Sequence, residues 1–111
     1  MKYTEINIKE GMPAAADAIK FLQDSVCRYK KDKCECMLII HGYGSTGKGG
    51  VICEKARQWL KAKERGGMIK EVIYGENFDI FNFNALALKN KYPELEKLLG
   101  VCNNGVTVVK L

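Results

Sequence analysis

One histidine, one tryptophan and two prolines occur in 111 residues, and each scarcity closes off a class of protein. So few prolines argue against a disordered linker, as do an apolar share of 47% and a charged share of 28%. The start of the chain, Met1 to Lys9, has no apolar run of signal-peptide length, and no stretch elsewhere is long and apolar enough to span a bilayer. A cytoplasmic protein with no membrane partner is expected. The five cysteines are odd in number, which fits reduced thiols better than a disulfide framework. Cys34-Glu35-Cys36 is the only close pair, and a lone histidine cannot complete a zinc site at finger spacing. Neither a metal nor a cofactor is expected. Cys53 falls in the first turn of a helix, where the dipole can lower a thiol pKa, although a small buried cysteine is the simpler reading.

The length suits a single domain, residues 1–111, and is small for a doubly wound nucleotide-binding enzyme. Its net charge of +5 is concentrated. From Lys48 to Lys70, seven basic residues (Lys48, Lys55, Arg57, Lys61, Lys63, Arg65, Lys70) face only Glu54 and Glu64, an excess of five that equals the whole net charge. A smaller cluster is Arg28, Lys30, Lys31 and Lys33. Concentrated basicity points to a polyanionic partner; a solvated helix face is the competing explanation.

Along the chain, Ile6-Asn7-Ile8 alternates as a short strand and Gly11-Met12-Pro13 punctuates it. Ala15, Ile19, Leu22, Val26 and Tyr29 recur at helical spacing over 14–29. A strand is expected from Cys36 to Ile40, a second helix over 51–65 closed by Gly66-Gly67, and a third strand over 68–74. In the second helix Arg57, Lys61 and Arg65 form one stripe. The segment 76–99 is less regular: Phe78, Ile80, Phe81 and Phe83 suggest a packed loop or extended run, and Pro93 opens a short helix. Asn103-Asn104-Gly105 marks a turn before a β-branched final strand, 106–111.

The chain is organised around Met37-Leu38-Ile39-Ile40-His41-Gly42-Tyr43-Gly44-Ser45-Thr46-Gly47-Lys48-Gly49-Gly50. An apolar strand breaks into five glycines within nine residues and then opens a helix. Free backbone N–H groups and the helix dipole make such a loop a cradle for an anion, with phosphate the expected one, and Lys48 adds a full positive charge. Gly42 to Lys48 fits the nucleotide-binding pattern G-x-x-x-x-G-K, but Gly49 lacks the hydroxyl that holds Mg²⁺ in that motif. An acyl-transfer site would need a nucleophile elbow; the only serines are Ser25 and Ser45, and Tyr43 stands where the elbow needs glycine.

The run from Leu38 to Gly49, with the amphipathic helix after it and the closing Gly105-Val106-Thr107-Val108-Val109-Lys110-Leu111, resembles the Smr (small MutS-related) domain family. The resemblance implies an α+β two-layer sandwich of βαβαββ order, with a four-stranded mixed sheet and two main helices, similar to the C-terminal domain of bacterial translation initiation factor three. It also implies nucleic-acid binding, to DNA or RNA, and in several members DNA nicking or RNA cleavage. The first-strand motif is degenerate: where cutting members carry L-D-L-H-G, this chain has Ile6-Asn7-Ile8-Lys9-Glu10-Gly11, so Asn7 replaces the acid and Lys9 the histidine. Asn7 is no base, and Lys9 would need a strongly lowered pKa to act as one.

The residues expected at the site follow. Gly42, Gly44, Gly47 and Gly49 shape the cradle; Ser45, Thr46, Lys48 and Lys9 contact phosphate; Arg57 and Lys61 extend the track; and Tyr43 stacks on a base. His41 is the candidate acid or base, with a structural role at the strand end as its alternative. A small-molecule phosphate or nucleotide binder with a degenerate P-loop remains the other functional reading, and a protein-binding module with a vestigial cradle a third.

Overall fold

The structure, a computed structural model, describes residues 2–43 and 48–111, and for positions 48 and 49 the backbone only. Strand β1 is Tyr3–Asn7, helix α1 Ala15–Lys31, strand β2 Cys36–Ile40, helix α2 Lys48–Arg65 and strand β3 Glu71–Tyr74. A short 3-10 turn, Gly75–Asn77, leads to helix α3, Phe83–Lys91, then a second 3-10 segment, Pro93–Leu98, and strand β4, Val106–Lys110. The sheet order is β1-β2-β4-β3, with β1 parallel to β2 and β4 antiparallel to both its neighbours.

Strand β2 is central, and its first four residues are buried. That is why its sequence is one continuous apolar run and not an alternating one. Met37 and Ile39 enter the core under α1 and α2, together with Ile6, Val72 and Val109 from the other strands. Cys36 and Leu38 enter a second core with Ile73, Val106 and Val108. The expected four-stranded mixed sheet and two main helices are therefore present, and segment 76–99 adds a layer on the sheet's other face. Phe78, Ala85, Leu88, Tyr92, Leu95 and Leu98 supply that layer. Burying a phenylalanine such as Phe78 contributes about 2–3 kcal/mol.

Both long helices stop by the same geometry. Gly67, at φ +85°, closes α2, with Gly67 N–H donating to Glu64 O (3.1 Å) and Met68 N–H to Lys63 O (3.0 Å). At the end of α1 the left-handed position falls on Lys33, φ 63°, with Lys33 N–H donating to Lys30 O (3.0 Å) and Cys34 N–H to Tyr29 O (2.9 Å). The charged loop read after α1 is thus a helix cap carried by a lysine where glycine is the easier residue. No helix among the described residues is long and apolar enough to cross a membrane.

Candidate functional site

Four chain segments meet where β1, β2 and β3 end and β4 begins. After β1, the Asn7 side chain turns back and its Oδ1 accepts the Lys9 N–H at 3.0 Å. Aspartate makes the same turn, so asparagine preserves the local shape and gives up the ionisable oxygen. After β2, the N–H groups of His41 and Gly42 both donate to Gly105 O, at 3.0 and 2.9 Å. Gly42 has φ +73°, and a Cβ built on it would come 2.9 Å from Lys9 Cδ. The structure therefore brings Lys9 against the start of the glycine loop. After β3, a Cβ at Gly75 would lie 1.9 Å from Asn103 O and 2.6 Å from Val106 Cγ2, so the 103–105 turn crosses directly over a glycine.

Under this junction lies a chain of side-chain hydrogen bonds. His41 has no exposed surface. Its Nδ1 is 2.7 Å from Gly42 O, and a carbonyl only accepts, so Nδ1 carries the ring proton. Nε2 then accepts from the Thr107 hydroxyl at 2.8 Å. Thr107 Oγ1 in turn accepts from Arg57 Nε at 3.1 Å. Arg57 closes the chain on Glu76, with Nη1 and Nη2 donating to the two carboxylate oxygens at 2.8 and 2.7 Å, and Nη2 also donating to Val106 O at 3.1 Å. Its guanidinium lies 4.1 Å from the Tyr74 ring centroid.

The electrostatics follow from this burial. Removal from water pushes the His41 pKa down to about 4, helped by the positive charge of Arg57 and opposed by the Gly42 carbonyl and Glu76. The paired guanidinium holds the Glu76 carboxyl below its ordinary value. Cys53 is buried, as the simpler reading of the sequence has it, and the loss of water raises its pKa.

Above the network, α2 borders a groove of about 680 Å³ lined by Tyr43, Arg57, Lys61, Arg65 and Tyr74 among others. The stripe expected on α2 does line one surface, but its members differ. Arg57 is mostly buried, and among the described residues four of its five N–H groups already have partners, so it is held in the network while it borders the groove. Lys61 is 40% exposed and meets Glu64 Oε1 at 3.1 Å, while Arg65 is exposed. Tyr43 is exposed at the groove's edge. His41, the candidate acid or base, is not among the lining residues, and both its nitrogens are engaged. Gly44, Ser45, Thr46 and Gly47 lie outside the described residues, as do the side chain of Lys48 and any contact at Gly49.

Thr107 and Glu76 were not singled out as site residues from the sequence. Thr107 had a signal, being the one hydroxyl in a β-branched apolar strand, on the same side as Val109 and hence facing the core. Glu76 had none, because only the fold shows which cation it meets.

The strand order and the two helices on one sheet face define an α+β domain, and α2 borders a groove whose lining carries Arg57, Lys61 and Arg65 with Glu54. A family model, Smr domain, matches residues 10–75, more than half of the chain, and the chain belongs to the Smr domain family. Smr domains are generally nucleic-acid binding, with endonuclease-related activity in the family. Among solved structures, the crystal structure of the Smr domain of Thermus thermophilus MutS2 matches with a TM-score of 0.56 and 17% identity, covering 100% of this chain and 98% of that one. This likeness establishes the shared fold. A search of curated proteins finds no match.

Proposed function

We propose that the domain binds nucleic acid by its phosphate backbone along the α2 groove, with endonuclease activity weakened or lost. The observation that carries the reading is the groove itself, which is lined by Lys61 and Arg65 of α2 together with Tyr43 and Tyr74, and where Arg57, Lys61 and Arg65 outnumber the one carboxylate, Glu54. In this reading Gly42, Gly44, Ser45, Thr46, Gly47, Lys48 and Gly49 hold one phosphate at the N-terminus of α2, with Lys9 beside it, and Lys61 and Arg65 take the next ones. Arg57 serves as a positioning residue, fixing Glu76, Thr107 and the Tyr74 ring. His41 anchors the same network, which supports its structural reading over proton transfer. Asn7 makes a turn and Lys9 is a phosphate contact, so the first strand supplies neither the acid nor the histidine of cutting members, and Glu54 is the carboxylate among the described residues that line the groove.

Fluorescence anisotropy with labelled RNA and DNA across a salt series tests this. Affinity should fall steeply with salt, and Lys48→Ala should reduce the log–log slope by about one unit. Absent or salt-independent binding to every nucleic acid would overturn the reading. A rise in melting temperature with nucleotides alone would favour the small-molecule alternative.

A further inference from the structure

Segment 78–84 presents an arrangement that the groove alone does not explain. Phe78 is fully buried, whereas Ile80, Phe81 and Phe83 are 61%, 87% and 86% exposed. Two phenyl rings in water, two residues apart, form an unusual apolar display on a chain with a well-filled core. The backbone beneath them is tied down. Asp79 Oδ1 accepts the Phe81 N–H at 2.9 Å, Asn82 Oδ1 caps α3 by accepting from Ala85 N–H at 3.1 Å, and Asn82 Nδ2 donates to Asn77 O at 3.1 Å. The rings are therefore carried on a loop ordered by its own side chains.

Their location gives the display a partner. A smaller cavity of about 170 Å³ has Lys61, Glu71, Tyr74, Asn77, Asn82 and Asn84 in its lining, and it shares Lys61 and Tyr74 with the α2 groove. The sequence Phe81-Asn82-Phe83-Asn84 thus alternates exposed aromatics with amides that border the end of a cationic track. Stacking of aromatic side chains on bases needs an open base face, which an unpaired strand offers and a duplex interior does not. We propose that Phe81 and Phe83 form a stacking platform for unpaired bases of a strand whose phosphates follow Lys61 and Arg65. The ligand class is single-stranded nucleic acid, with the exposed Asn84 amide available to a base edge. This inference rests on the α2 groove being the phosphate track.

The test uses the whole chain and two labelled probes, an unstructured 12-nucleotide strand and a duplex of equal length. Phe81→Ala/Phe83→Ala should weaken strand binding by about tenfold or more, the scale of one lost base stack, while duplex affinity changes less than twofold. The salt slope should stay as in the parent, since no cation is removed. Phe81→Tyr/Phe83→Tyr should retain strand binding. Urea unfolding should be the same for all variants, because both rings are exposed. Strand affinity unchanged in the alanine variant overturns the platform. So does a parent that sediments as a dimer and a variant that sediments as a monomer with strand affinity intact, which would make the rings a self-association surface. If Lys61→Gln weakens strand binding and the phenylalanine variant does not, the groove stands and the platform falls. If Lys61→Gln has no effect either, the groove reading falls with it.

Discussion

Lowering the pH should destabilise the domain through one residue before its carboxylates respond. His41 is held neutral to about pH 4, against an ordinary value of 6.5, by burial. Between those two values the unfolded chain binds a proton that the folded chain refuses, so stability is fully present above pH 6.5 and is lost as pH falls toward 4. The whole loss is about 3 kcal/mol, of which about 2 kcal/mol has gone by pH 5. The perturbation that isolates it is His41→Gln, which cannot titrate. Urea unfolding followed by Trp59 fluorescence at pH 7, 6 and 5 gives both stabilities, and contributions from the carboxylates largely cancel in the difference. The parent should lose about 2 kcal/mol relative to the variant between pH 7 and 5. Since the chain has one histidine, its imidazole resonance also reports the pKa without assignment. A difference that stays flat over this range, or an imidazole titrating near 6.5, would refute the buried Gly42–His41–Thr107 arrangement.

Further outcomes follow from the same packing. Arg57→Met should cost about 2 kcal/mol, less than for a fully buried pair because Glu76 keeps 30% exposure; Arg57→Met/Glu76→Gln should recover part of it, and a strictly additive cycle would contradict their coupling. Gly75→Ala should cost about 3 kcal/mol or more in urea unfolding, because the new methyl meets the Asn103 carbonyl and not a movable side chain. Lys33→Gly should stabilise by roughly 0.5–1 kcal/mol by relieving the left-handed position at the end of α1, a gain visible as a raised urea midpoint.

Much of the fold was legible because strong local signals agreed. Strand β2 falls at Cys36–Ile40 as its apolar run indicates, and α2 ends where Gly66-Gly67 indicates. Strand β1 ends at Asn7, short of Ile8, because the Asn7 side chain closes a turn there. Helix α3 escaped notice because it buries little more than Ala85 and Leu88, too few for a stripe. Phe78, Ile80, Phe81 and Phe83, which lead into its first turn, read as a packed or extended run, but of these four only Phe78 is inside. The site divides the same way. Lys9 is expected at the site because it stands where the family pattern has its histidine, whereas the surroundings of His41 and Arg57 depend on distant partners. Thr107 lies 66 residues beyond His41, and Glu76 lies 19 beyond Arg57 on a different element. A helical wheel shows Arg57, Lys61 and Arg65 as equals; only the tertiary fold neutralises the first.

The central claim is that phosphates follow the α2 groove and do not simply answer to net charge. A second cluster, with Lys70 and Lys110 bordering a separate cavity at the far end of the sheet, supplies a control of equal charge. The deciding measurement is the salt dependence of RNA and DNA affinity for the parent, Lys61→Gln/Arg65→Gln and Lys70→Gln/Lys110→Gln. The groove variant should lose about two units of slope on a duplex and somewhat less on a single strand, while the far-end variant keeps the parent slope. Equal losses in both variants would contradict the account.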